Sequence, residues 1–117
     1  MKGEETIYVM DIITPRPGRG EEVFRYYVEN YVPLAQDRGL RLQHRWVSPP
    51  LWLQGNHSNT LYFVWSVTGV GEYWAVEAKA RWDATAPDFW RDLEPMIVSR
   101  SRQVLAGEHD LASLGDV

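Results

Sequence analysis

No cysteine occurs among the 117 residues. That excludes disulfides, thiolate metal sites and a cysteine nucleophile. Long apolar runs are missing as well: none approaches the ~20 residues that span a bilayer, so no membrane partner is expected. The opening Met1-Lys2-Gly3-Glu4-Glu5 is polar and acidic and lacks the apolar stretch of a signal peptide. A cytoplasmic location is the expectation, and the glycosylation-type triplet Asn56-His57-Ser58 then carries no weight. There is no basic excess: 12 Lys and Arg stand against 16 Asp and Glu, for a net charge of −4. The basic residues are scattered, with Arg16 near Arg19 and Arg100 near Arg102 as the densest cases, so nucleic acid is not an expected partner. The three histidines, His44, His57 and His109, lie far apart without metal-ligand spacing, so no metal site is expected. Nucleophile-elbow and phosphate-loop motifs are absent.

What is present in quantity is aromatic: six Trp and six Tyr. Such rings are costly to expose and their polar tips seek partners, which suits a core, an interface or a pocket for a flat ligand. The length fits one domain, 1–117, with a core over 6–105 and an arm over 106–117.

Periodicity divides the core into strands and helices. Thr6 to Ile13 reads as a strand with one acid, Asp11, among apolar neighbours; Thr14 to Gly20 stops it with turn residues. Glu21 to Arg38 reads as a helix. Phe24, Tyr27, Val28, Tyr31 and Ala35 form its apolar stripe, Pro33 predicts a kink near Glu29 to Val32, and Gly39 closes it. Leu40 to Val47 reads as a second strand, with Leu40, Leu42, His44 and Trp46 on one face and Arg41, Gln43, Arg45 and Val47 on the other. A twelve-residue loop, Ser48 to Asn59, follows and carries Leu51, Trp52 and Leu53; loops this long are often functional. Thr60 to Val67 reads as a third strand, apolar on both faces. After a turn at Thr68 to Gly71, Glu72 to Trp82 reads as a helix with Tyr73, Val76, Ala80 and Trp82 inward. Pro87 opens a short helix over Asp88 to Leu93, and Met96 to Leu105 reads as the fourth strand.

The pattern β-α-β-β-α-β implies an α+β, ferredoxin-like domain: a four-stranded antiparallel sheet with helices on one face, right-handed crossovers and strand order 4-1-3-2. A central strand apolar on both sides needs two covers, and this chain has helices for one; a second copy of the chain is the economical other cover.

Several short segments, in order, carry a resemblance. They are Tyr8 in the opening strand, Arg16-Pro17-Gly18-Arg19-Gly20-Glu21, Tyr31-Val32-Pro33-Leu34, Gly39, Asn59-Thr60, Phe63-Val64-Trp65 and Pro87-Asp88-Phe89-Trp90. Over roughly residues 6 to 105 the chain resembles the dimeric α+β barrel superfamily and, within it, the NIPSNAP-like group. The resemblance implies a homodimer whose sheets pack face to face, with a pocket between sheet and helices in each subunit. The superfamily includes cofactor-free monooxygenases, heme-degrading oxygenases, polyketide-type cyclases, stress-induced proteins and members without known activity. Trp65 matches the strand tryptophan of the heme-degrading members. Their asparagine position is Asp11 here, and no histidine occurs from Val67 to Trp90, so a heme reading is rejected and no cofactor is expected.

Two residues are candidate bases. Asp11, if its face meets the helices, is desolvated and suited to general-base work, or else it is paired with Arg100 or Arg102 on the adjacent strand. His44 is a proton shuttle or a hydrogen-bonded interface residue. Tyr27, Tyr31, Trp65, Tyr73 and Trp82 are candidate substrate contacts, or core. Gly18-Arg19-Gly20 is an anion site at a helix start or simply a turn. His57 either drops onto the pocket or is solvated. Two functions remain open. One is a cofactor-independent enzyme performing proton abstraction, cyclisation or oxygenation on a small aromatic or polyketide-like molecule. The other is a non-catalytic dimeric binding or stress-related module.

Overall fold

Strict alternation along β1 (Thr6–Pro15) sends every second residue inward: Ile7, Val9, Asp11, Ile13 and Pro15 are buried while their neighbours are half-buried. The computed structural model describes residues 5–83 and 85–115. The charged start Met1 to Glu4, Ala84 and the last two residues of the arm lie outside them. β1 pairs antiparallel with β3 (Thr60–Thr68) on one side and β4 (Ile97–Ala106) on the other, and β2 (Arg41–Ser48) flanks β3. The order β2-β3-β1-β4 is the expected one, with β1 and β3 central.

The first helical segment is α1 (Gly20–Tyr26), a π-helical turn (Tyr27–Tyr31) and α2 (Val32–Asp37). The disturbance falls where Pro33 requires it. Its ring crowds the carbonyl four residues back and it has no N–H to give. The backbone responds by widening, and Val32 N–H donates to the carbonyl of Tyr27, five residues earlier. The segment ends in a Schellman turn: Leu40 N–H donates to Ala35 O at 3.1 Å and Gly39 N–H to Gln36 O at 3.0 Å. Gly39 has φ +107°, a conformation that a side chain would strain.

α3 (Gly69–Arg81) starts three residues before the expected Glu72. Gly69, at φ +80°, turns the chain straight off β3, and the Glu72 carboxylate accepts the Thr68 N–H at 3.2 Å, so no separate turn is needed. α4 (Thr85–Leu93) carries Phe89 and Leu93 into the core. The arm holds a short helix, α5 (Leu111–Gly115), whose Leu114 packs against the core.

Two irregularities redirect side chains. β2 carries a bulge: Leu42 lies opposite Trp65, but His44 lies opposite the next residue, Val64. One extra residue, Gln43, therefore reverses the alternation. This corrects the expected grouping. Leu42, Arg45 and Val47 share the helix side with Trp65, Phe63 and Leu61, whereas His44 and Trp46 sit on the helix-free side. In β4 the register shifts between the pairs Thr14–Ser99 and Pro15–Ile97. Ile97 is thereby buried, and Val98 is pushed outward to 59% exposure.

The core lies between the helices and one sheet face, built on Val9, Ile13, Leu61, Phe63, Trp65 and Val67 with Val23, Tyr27, Tyr31, Phe89 and Leu93. The opposite face bears half-buried Tyr8, Met10, Ile12 and Tyr62, with Trp46 51% exposed.

Candidate functional site

At the centre of the core a carboxylate is held by two side chains, each braced by one more. Asp11, on β1, is 2% exposed and directly opposite Arg102 on β4. Antiparallel register puts the two on the same face, and the guanidinium closes on the carboxylate in a fork: Arg102 Nε donates to Oδ1 at 2.6 Å and Nη2 to Oδ2 at 2.9 Å. Of the two arginines that the strand alternation offered, the register selects Arg102. From the wide turn of the first helix, the Tyr27 hydroxyl donates to Asp11 Oδ2 at 2.6 Å and accepts from Trp65 Nε1 at 2.8 Å. One turn on, the Tyr31 hydroxyl accepts from Arg102 Nη2 at 2.7 Å. The rings enclose these bonds. Tyr27 stacks on Phe63 with centroids 3.7 Å apart, and Tyr31 meets Trp65 edge-on at 6.1 Å.

The electrostatics follow from the burial. Desolvation pushes the Tyr27 phenol well above its ordinary range, and the neighbouring Asp11 charge adds to it. Burial alone would lower the Arg102 guanidinium, but hydrogen bonding and charge from Asp11, helped by Tyr31, reverse the sign and hold it more firmly protonated. Asp11 thus has its lone pairs engaged by a permanent cation and a phenol that keeps its proton. The cavity beside this cluster, bordered by Val9, Tyr31, Tyr73 and Arg102, measures about 20 Å³, enough for one water.

The fold brings together four of the residues singled out by the sequence: Asp11, Tyr27, Tyr31 and Trp65. Tyr73 is half-buried at the edge of the small cavity. Trp82 does not belong with them: it is 90% exposed, which corrects its expected inward position. It caps α3 six residues beyond the buried Val76, a rotation of about 240° at 100° per residue, and so faces away. His44 lies across the sheet from Asp11, with its ring stacked on Trp46 at 4.4 Å. His57 is exposed. Gly18 and Gly55 take positive φ, and Gly18 N–H donates to His57 O at 3.0 Å, so the glycine turn joins the long loop. Among the described residues no group of histidine, aspartate and glutamate could hold a metal ion. No helix among them is long and apolar enough to cross a membrane.

Sequence reasoning missed a groove of about 810 Å³ between α3, α4 and β4. Ala80, Ala86, Pro87 and Trp90 line its helical side, and Val98, pushed out by the β4 shift, lines the other with Arg100. Its inner wall is Trp90. That ring stands 5.2 Å from Tyr31 and 6.2 Å from Tyr27, so one side chain separates the groove from the buried network. The available signal was the alternation that sets Arg100 on the same face as Arg102.

Comparison with known proteins agrees with this architecture. Neither a family model nor a curated protein matches the chain. Solved structures do. An uncharacterized NIPSNAP domain protein from Burkholderia xenovorans superposes with TM-score 0.67 at 16% identity, covering 86% of this chain and 93% of that one. A NIPSNAP family protein from Agrobacterium tumefaciens gives 0.66 at 18% identity, covering 92% and 90%. SnoaB, a cofactor-independent oxygenase from Streptomyces nogalater, gives 0.55 at 10% identity, covering 89% and 94%. The chain has the ferredoxin-like α+β fold of the NIPSNAP-like group.

Proposed function

We propose that the chain works as a homodimeric, non-catalytic binding module of the α+β barrel type, with the small-molecule seat in the groove against Trp90 and the Asp11–Arg102 network as its rigid floor. The observation that carries this reading is the contrast in volume. About 810 Å³ lies open beside Trp90, within the usual range of ligand sites of roughly 300–1,000 Å³. Only about 20 Å³ adjoins the network around Asp11. A carboxylate in three hydrogen bonds, without room for a substrate, serves better as an anchor than as a base. The second copy is supported by the helix-free sheet face, where Tyr8, Met10, Ile12, Tyr62 and Trp46 form an apolar surface over which the described residues place no helix.

The enzymatic reading keeps one observation in its favour. A buried carboxylate, two phenols, an indole and a guanidinium cluster beneath a fold shared with a protein described as a cofactor-independent oxygenase. In that reading Asp11 takes a proton, and Tyr27, Tyr31, Trp65 and Tyr73 hold a small aromatic substrate, once Trp90 swings aside; His44, on the helix-free face, is out of reach as its base.

Two measurements test the proposal. Sedimentation equilibrium should give twice the 13.6 kDa chain mass, and Trp46→Glu should shift it toward a single chain. A thermal-shift panel of flat, apolar molecules should yield binders that Ala80→Phe, which fills the groove, abolishes. Binding unaffected by Ala80→Phe but lost in Asp11→Asn would instead favour the enzymatic reading.

A further inference from the structure

We infer that the groove beside Trp90 selects an organic anion: a flat apolar body laid along the groove wall, with a carboxylate held by Arg100 and Arg16. This rests on the groove being the ligand seat and adds the chemistry of the ligand.

The inference starts from how this protein treats its arginines. Most are matched to an acid. Arg102 is forked onto Asp11, and ion pairs join Arg38 to Asp83 at 2.9 Å, Arg19 to Glu22 at 2.8 Å, Arg25 to Glu21 at 2.8 Å, Arg41 to Glu72 at 3.2 Å and Arg91 to Asp88 at 3.0 Å. Four of the ten depart from that rule among the described residues: Arg45 and Arg81 lie outside the groove, whereas Arg100 and Arg16 both line it. Among the described residues, neither has an acidic partner. Arg100 has its guanidinium carbon 4.2 Å from the centre of the Trp90 ring. Stacking of this kind fixes the plane of the fork while leaving its edge N–H groups free to donate. Arg16 is anchored through Nε, which donates to Pro95 O at 2.9 Å, and its terminal nitrogens have no partner among the described residues.

The groove also contains one acid and a neutralised cation. Glu94 lines it, and Arg91 is already offset by Asp88. Among the side chains that line the groove, Arg16, Arg91 and Arg100 stand against Glu94 alone, so the lining is positive in a chain whose net charge is −4, with Asp88 and Asp92 offsetting Arg91 from outside the lining. A fork held flat on an indole, a second cation at hand, and an apolar wall of Ala80, Pro87 and Trp90 together fit a planar carboxylate on an aromatic or alicyclic body. A neutral molecule of the same shape would fill the volume but leave both guanidinium groups unanswered.

The probes are 2-naphthoate and its neutral isostere 2-naphthamide, titrated calorimetrically into the full chain at low salt. The naphthoate should bind about tenfold more tightly, the size expected for one charge-assisted hydrogen-bonding contact, and the preference should shrink as salt is raised. Arg100→Gln should bring the two affinities together, and Arg16→Gln should narrow the gap. Melting curves establish that each variant is folded, and Arg45→Gln, outside the groove, should change nothing. Equal affinities in the wild-type chain overturn the anion assignment while leaving the groove as a binding site. So does a preference that survives both substitutions. Binding of neither probe overturns the groove itself as the seat, and with it the ligand half of the proposed function.

Discussion

Arg102 sits directly opposite Asp11 across the β1–β4 ladder and grips both of its carboxylate oxygens, at 2.6 and 2.9 Å, with Asp11 almost wholly shielded from water. Removing one partner of such a pair costs far more than the pair contributes, because the other is left charged and dry. Arg102→Met should therefore destabilise the fold by on the order of 3 kcal/mol, reduced somewhat because the Arg102 side chain is 35% exposed. The double variant Asp11→Leu with Arg102→Met should be more stable than Arg102→Met alone. Urea unfolding of the three proteins checks this, and a double variant less stable than Arg102→Met contradicts it.

Tyr27 makes a second prediction, this one dependent on pH. Tyr27→Phe keeps the stack on Phe63 but strips a donor from Asp11 and an acceptor from Trp65 Nε1, a loss of about 2 kcal/mol. Burial, then the Asp11 charge, raises the Tyr27 phenol well above its ordinary value of 10.0. A raised value means that the unfolded chain releases the proton first. The stabilisation is whole below pH 10 and drains away as pH rises beyond it. Stability measured from neutral to strongly alkaline pH should fall more steeply in the wild type than in Tyr27→Phe. Parallel curves would show that Tyr27 is not the group responsible.

The long loop is pinned from beneath by one buried side chain, Asn59, besides the Gly18–His57 backbone bond. Asn59 is 1% exposed; its Oδ1 accepts the Leu53 N–H at 3.0 Å and its Nδ2 donates to Leu51 O at 2.8 Å. Asn59→Ala should cost about 1–3 kcal/mol and open residues 49–58 to proteolysis. Gly20→Ala should have the same effect with Asn59 intact, since a Cβ at Gly20 would lie 2.6 Å from Asn59 Oδ1. Limited proteolysis with mapped cleavage sites tests both; cleavage confined to other segments would contradict the pin.

Asp83 contributes on the acid side. Hydrogen bonds from Thr85, then from Arg38, pull its carboxyl down to about 2 from an ordinary 3.8. A depressed value contributes stability that is complete above the ordinary carboxylate range and is lost as pH falls through about 2. Arg38→Met should move the Asp83 titration upward, as followed by its carboxyl NMR signal. An unmoved titration would mean that Thr85 alone sets it.

The sequence by itself determined the elements and their arrangement. The apolar run Thr6 to Ile13, the run Thr60 to Val67 that is apolar on both faces, the apolar stripe from Phe24 to Ala35, and Gly39 after it are local signals, read within a few residues. They implied the strand order and grouped Asp11 with Ile7, Val9 and Ile13 on one face, but only the folded structure showed that this face meets the helices. Pro33 likewise announced where the helix would deform, though not that it would open into a π turn.

Tertiary structure decided everything that depends on pairing between distant segments. A bulge at Gln43 moved His44 and Trp46 to the helix-free face, and no local pattern marks it, because a bulge exists only relative to the opposing strand. Register chose Arg102 over Arg100 as the partner of Asp11, which left Arg100 free to stack on Trp90. The shift after Thr14 turned Val98 outward to line the groove. Side-chain periodicity is a property of one strand; which side chains meet is a property of two, and only the folded sheet fixes it.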